Sequence, residues 1–166
     1  MIKPNLRNYS IDELKILMEN LGEPSYRGEQ IFHWITCKCA TNFDEMSDLP
    51  KSLRKKLSEN FSLALPDIVD KEEDTDGTVK FVLRLEDGSL IESVIIPERD
   101  HYTLCVSTQV GCPIGCKFCV TGRLGFKRNL DVHEILSQIV LAKRYLKKRG
   151  EELPLRNVVF MGMGEP

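Results

Sequence analysis

The chain has 166 residues, 42% hydrophobic and 29% charged, a balance typical of soluble globular proteins and long enough for one core or two small ones. No apolar run approaches the roughly 18 residues of a membrane span, and the opening MIKPNLRNYS lacks the apolar stretch of a signal peptide, so the expectation is a cytoplasmic protein with no membrane partner. Net charge is −2, but residues 66–100 carry 11 Asp/Glu against 4 Lys/Arg, and residues 103–150 carry 9 Lys/Arg against 2 Asp/Glu. That segregation favours an anionic partner, RNA included. Lys143, Arg144, Lys147, Lys148 and Arg149 have a second reading, as cations answering the dipole at the end of a predicted helix.

Ser10 followed by Glu13 predicts a capping box, which opens a helix carrying Ile11, Leu14, Leu17, Met18 and Leu21 at helical spacing and closing at Gly22 and Pro24. A second helix is predicted over about residues 26–36, burying Ile31, Trp34 and Ile35, and a third from Pro50 with Leu53, Leu57 and Phe61 inward. Residues 1–65 therefore read as a helical N-terminal domain, whose charges balance at 9 against 9. Cys37 and Cys39 form a C-x-C pair with no further ligand nearby, which reads as incidental.

Residues 66–100 read as an acidic linker, DIVDKEEDTDG, followed by a β-hairpin, KFVLRLEDGSLIESVIIP, that turns at Asp87-Gly88, where the positive φ of a tight turn is easily met. In the second strand Leu90, Glu92, Val94 and Ile96 share one face and Ile91, Ser93 and Ile95 the other. Both faces are apolar enough to be buried, which would place the Glu92 carboxylate among hydrophobic neighbours and raise its pKa toward that of a general base. The alternative is a glutamate on the wet side of the hairpin.

Residues 101–166 begin with a strand, YTLCVSTQ, continue through a cysteine-rich loop and a helix from about 132 to 149, and end with a strand in RNVVFMGMGEP. Asp131 and Glu134 cap the helix, Ile135, Leu136, Ile139, Val140 and Leu146 form its apolar stripe, and His133 reads as a surface or capping residue. Strand, helix and strand make one βαβ unit, which should be parallel and right-handed, with both loops leaving the carboxyl ends of its strands, where α/β folds place their sites.

The loop GCPIGCKFC presents Cys112, Cys116 and Cys119 at C-x3-C-x2-C. In a reducing compartment clustered cysteines read as metal ligands or redox groups rather than as a disulfide framework. A structural zinc site wants four ligands, and the only nearby candidate for a fourth, Cys105, lacks the spacing. A four-iron cluster held by three thiolates keeps one iron open to a small molecule.

C-x3-C-x2-C followed, after a helix, by a strand ending in Gly-x-Gly-Glu resembles the radical S-adenosylmethionine (SAM) superfamily. The string IESVIIPERDHYTLCVSTQVGCPIGCKFCVTGRLGFKRNL with GMGEP resembles the RlmN/Cfr group of dual-specificity RNA methyltransferases, on the RlmN side, over essentially all 166 residues. The resemblance implies a [4Fe-4S] cluster on Cys112, Cys116 and Cys119, SAM held by Gly164 and Glu165, Glu92 as proton acceptor, and Cys105 as a resolving thiol that transiently forms a disulfide with a methyl-carrying cysteine. It further implies methylation of adenine C2 in 23S rRNA and tRNA, an electron donor such as flavodoxin, and a monomer. One SAM would methylate the carrier cysteine and a second would supply the radical that activates its methyl group. Phe118 is expected to pack against the cluster or cofactor, or in the core.

By the same resemblance the fold class is α/β, a helical domain and hairpin leading into the first βαβ unit of a truncated partial (β/α)6 barrel. The carrier cysteine and later strands of that family are absent from this sequence, so the chain is expected to be an inactive N-terminal fragment. The competing class is a non-catalytic RNA-binding or zinc-stabilised module.

Overall fold

The chain divides after Leu65 into two units, and the computed structural model describes residues 3–165. In the first unit Glu13 Oε2 accepts the Ser10 N–H at 2.7 Å and Ser10 Oγ accepts the Glu13 N–H, so the capping box closes reciprocally on α1 (Ile11–Asn20). Helices α2 (Tyr26–Thr36) and α3 (Lys51–Asn60) follow, and Leu14, Met18, Ile31, Ile35, Leu53 and Leu57 bury one core. Trp34 and Phe61, expected inside, are only partly buried; the Trp34 indole Nε1–H donates to Asp48 at 2.6 Å, which keeps one edge at the surface. Gly28 lets α1 and α2 touch backbone to backbone, since a Cβ there would lie 2.5 Å from Lys15 N. Arg7 is buried and donates to the carbonyls of Leu63 (2.9 Å) and Ala40 (2.6 Å), pinning two loops with one guanidinium.

The second unit is built on a five-stranded sheet in the order β1-β2-β3-β4-β7, with β1 (Asp67–Glu73), β2 (Val79–Arg84), β3 (Leu90–Pro97), β4 (Tyr102–Cys105) and β7 (Leu155–Val159). Residues 67–73, read from sequence as linker, are therefore a strand. Every β1 residue is exposed, so no apolar period marks it; charge pairing helps hold it instead, Glu72 with Lys80 at 2.7 Å and Asp67 with Arg84 at 3.1 Å. The β2–β3 hairpin turns at Asp87-Gly88 as predicted, and β4 pairs β7 in parallel across α5 (Val132–Arg149). The expected strand YTLCVSTQ is split. Its front half is β4, and the rest enters a separate two-stranded ribbon of β5 (Gln109–Gly111) and β6 (Phe126–Asn129), with the short α4 (Val120–Leu124) between them.

Helix α5 supplies Ala142 and Leu146 to a core shared with Phe81, Leu83, Ile91, Ile95 and Leu104, so one sheet face is covered. The opposite face, with Leu90, Glu92, Val94 and Ile96, is exposed or half-exposed. The expectation of two buried faces is thereby corrected. Basic and acidic segments meet within this unit: Arg149 pairs with Glu73 and lies against the Tyr145 ring, so part of the charge segregation is consumed by folding. No described helix is long and apolar enough to cross a membrane.

Candidate cofactor site at the cysteine loop

Strand β5 ends at Gly111, and the chain returns as β6 at Phe126, so the intervening residues form an excursion at the end of the two-stranded ribbon. Gly111 has φ +77°, and a Cβ on it would stand 1.7 Å from Gly125 O; only glycine lets the two legs of the loop approach this closely. Beyond it, Cys112 N–H donates to Gly125 O (3.3 Å), Cys119 N–H to Cys116 O (3.1 Å), and the Arg123 guanidinium holds Lys117 O at 2.9 and 3.2 Å. The loop thus has internal order, while Cys112, Cys116 and Cys119 stay partly accessible.

The three thiols are not gathered. Among the described residues no group of three or more His, Cys, Asp or Glu side chains is arranged to hold a metal ion. Their chemistry nonetheless suits a soft metal: all six cysteines of the chain are free thiols, and the Gly122 N–H, then the Thr121 N–H and hydroxyl, hold the Cys119 thiol below its ordinary range. Phe118 is 90% exposed and belongs to neither hydrophobic core, which overturns core packing as its role. Ile114, Val120 and Leu124 beside it are also exposed.

Gly164 and Glu165 follow β7, and their turn lies directly on residues 106–109. Gly162 N–H donates to Val106 O (3.1 Å), Met163 O accepts from both Thr108 and Gln109 N–H (2.9 and 3.1 Å), and Glu165 N–H donates to Gln109 Oε1 (3.0 Å). A Cβ on Gly164, at φ +110°, would come within 2.7 Å of Gln109. The turn and the root of the cysteine loop are therefore one locked structure.

Cys105 is buried at the end of β4, opposite Val94 of β3, and Glu92 lies two residues further along β3. Register puts both residues on the sheet face that α5 leaves uncovered. Burial pushes the Cys105 thiol above its ordinary range, the Met161 backbone N–H opposing it. Glu92 is half-exposed, 3.8 Å from Lys80 Nζ, so the hydrophobic burial expected of it does not act; the wet-side alternative describes its surroundings.

Sequence reasoning missed the residues that support the site. Arg128 on β6 forms a two-pronged pair with buried Glu134 at 2.7 and 2.8 Å and reaches Asp87 in the β2–β3 turn at 3.0 Å. Ser107, Gln109 and Gln138 are buried around the locked turn. Glu134 was legible only as a cap, and nothing in the pattern marks Gln138. In the first unit, a cavity of about 420 Å³ is lined by Phe43, Asp44, Lys51, Arg54 and Lys55 among others, three cations against one carboxylate.

Residues 4–63 match the family of the ribosomal RNA large subunit methyltransferase N-terminal domain. Over 98% of its length the chain is 49% identical to a dual-specificity RNA methyltransferase RlmN from Solidesulfovibrio magneticus, and over all of it 43% identical to the RlmN of Syntrophus aciditrophicus. The chain is RlmN-like. It spans about half the length of the curated relatives it matches, 46% and 47% for these two. The crystal structure of a radical SAM methyltransferase from Sphaerobacter thermophilus superposes with a TM-score of 0.89 at 41% identity, covering 98% of this chain and 48% of that one. The RlmN-like likeness therefore includes both units, the cysteine loop and the Gly164–Glu165 turn.

Proposed function

We propose that this chain carries the cluster-binding and part of the SAM-binding machinery of a radical SAM enzyme that methylates C2 of adenine in 23S rRNA and tRNA. One observation carries the reading: three free thiols at C-x3-C-x2-C share a loop locked to the Gly164–Glu165 turn, in a chain 49% identical to a relative named as an RNA methyltransferase. Cys112, Cys116 and Cys119 would hold a [4Fe-4S] cluster, closing from their present spread. When bound, such a cluster supplies the electron that cleaves SAM to a carbon radical, chemistry suited to an electron-poor ring carbon that is no nucleophile.

Gly164 and Glu165 would bind SAM. Glu92, accessible on the open sheet face, would accept the proton lost from adenine C2, and Cys105 on the same face would resolve the protein–RNA adduct by a transient disulfide. The domain reading is a helical RNA-facing unit over 1–65, a β-hairpin region over 66–100, and the start of a partial (β/α)6 barrel over 101–166. The cations Lys51, Arg54 and Lys55 around the cavity support contact of the first unit with phosphates. The enzyme would work in the cytoplasm as a monomer, fed by a flavodoxin-type donor.

Anaerobic reconstitution with iron and sulfide should give about four irons per chain, with most of the iron lost in Cys116→Ala. Stoichiometric zinc with no iron would leave a zinc-stabilised module instead. The 166-residue polypeptide alone is expected to form no 2-methyladenosine from 23S rRNA or tRNA fragments with SAM and reductant, because Glu92 lies on a sheet face that is open to solvent. Mass spectrometry of digested RNA checks this, and finding product would refute the need for further chain.

A further inference from the structure

The stretch 106–108 belongs to neither sheet: β4 leaves the five-stranded sheet at Cys105 and β5 begins its ribbon at Gln109. Its buried backbone groups still need partners. Val106 N–H bonds Val159 O and Val106 O accepts from Gly162; Thr108 N–H bonds Met163 O and Thr108 O accepts from Leu130. Ser107 differs. Its N–H donates to Gln138 Oε1 and its carbonyl accepts from Gln138 Nε2, both at 2.9 Å, so one side-chain amide from α5 replaces a missing strand partner. The amide orientation is fixed by this pairing, because a flipped carboxamide would set donor against donor and acceptor against acceptor.

The Ser107 hydroxyl extends the chain of contacts. It donates to Glu92 O at 2.6 Å and accepts the Met163 N–H at 2.9 Å. Gln138 and Ser107 are 1% and 0% exposed, so neither contact is exchanged with water at low cost. The remaining grips on the turn come from this stretch and the first residue of β5: Val106 O on Gly162 N–H, the Thr108 and Gln109 N–H groups on Met163 O, and Gln109 Oε1 on Glu165 N–H.

We propose that Gln138 is a positioning residue: by locking the Ser107 peptide it fixes, through Ser107 Oγ, the turn of Gly162, Met163, Gly164 and Glu165. This rests on the reading that the turn receives SAM, and it adds that a helix residue remote in sequence sets the turn's geometry.

The test uses the full chain, first without iron, measuring amide hydrogen exchange by NMR. Gln138→Leu should speed exchange at Met163 and Glu165 about tenfold while Phe81 and Ile91 stay within about twofold. Gln138→Glu should restore protection at low pH and lose it at high pH, relative to the unmodified chain, because only a neutral carboxyl can both accept from Ser107 N–H and donate to Ser107 O. Ser107→Ala should speed Met163 more than Glu165, and it serves if the leucine variant fails to fold. Unchanged Met163 and Glu165, equal acceleration in the core, or a Gln138→Glu variant indifferent to pH would each overturn the proposal.

A second arm titrates SAM into the iron-loaded chain and follows the electron paramagnetic resonance spectrum of the reduced cluster. Half-saturation should weaken about tenfold in Gln138→Leu at equal iron content, and equal half-saturation would count against positioning. If the unmodified loaded chain gives no response to SAM, the reading of this turn as a SAM contact falls and the exchange arm alone decides the role of Gln138.

Discussion

Gly111→Ala is expected to abolish iron loading of the reconstituted chain and to destabilise its second unit. Two effects combine. At φ +77° an alanine is strained, and its Cβ would fall 1.7 Å from Gly125 O, a backbone atom that cannot rotate away. Strain and overpacking together amount to on the order of 3–5 kcal/mol, which the loop can escape only by parting β5 from β6 and giving up the Cys112–Gly125 bond. Gly125→Ala is the control. Its φ is similarly positive, at +76°, with ψ 173°, a region reserved almost wholly for glycine, but nothing lies within 4 Å of the added carbon, so backbone strain of about 1–3 kcal/mol acts without a clash. Iron per chain and thermal unfolding of the two variants should therefore separate clearly; equal iron in both would show that the close approach does not organise the loop.

Arg128→Met should cost the second unit about 3–5 kcal/mol, because it leaves the buried Glu134 carboxylate without its two-pronged partner and frees the Asp87 turn. Arg128→Met combined with Glu134→Leu should recover most of that loss, since the desolvated charge goes with its partner. Acid should expose the same network. At Asp87 the Arg128 guanidinium, followed by the Ser89 N–H, pulls the carboxyl well below its ordinary range. At Glu134 burial works upward, but Arg128 and the Asp131 N–H outweigh it and the net shift is downward. Depressed folded-state values mean that this stability is present above the unfolded pKa values, near pH 4, and is lost as pH falls through the folded ones. Denaturant titrations at pH 7, 4 and 2 should give a steep acid loss for the native chain and a flatter one for Arg128→Met; parallel profiles would exclude the network as the cause.

Elements marked by apolar period and caps were legible in the sequence. Ser10 and Glu13 set the start of α1, Asp87-Gly88 the hairpin, and Asp131 to Gly150 the limits of α5. The failures have physical causes. Strand β1 has no buried face, and the charges that pair with its carboxylates, Lys80, Arg84 and Arg149, adjoin it only in the fold. For Glu92 the alternating Leu, Val and Ile leave burial and a wet face equally readable, and only the placement of α5 on one face decides for the wet one. The loop cysteines were legible as a set because soft-donor spacing is local in sequence. Gln138 was not, because a glutamine on a helix announces nothing until a strand without a partner lies beneath it.

The placement of β7 also bears on how the molecule assembles. Strands β1 to β4 are joined by short turns, five residues between β2 and β3, and can zip successively as neighbours. Strand β7 must instead find β4 after about 50 intervening residues, roughly tenfold more chain to close, which adds about 2 kcal/mol of closure entropy. That pairing is offset only once α5 has packed, and the Gly164–Glu165 turn has nothing to rest on before then. The antiparallel meander can thus pair before β7 docks, so a ligand held by the cysteine loop and the Gly164–Glu165 turn would act as a clasp on a late step of folding rather than as a seed for the first.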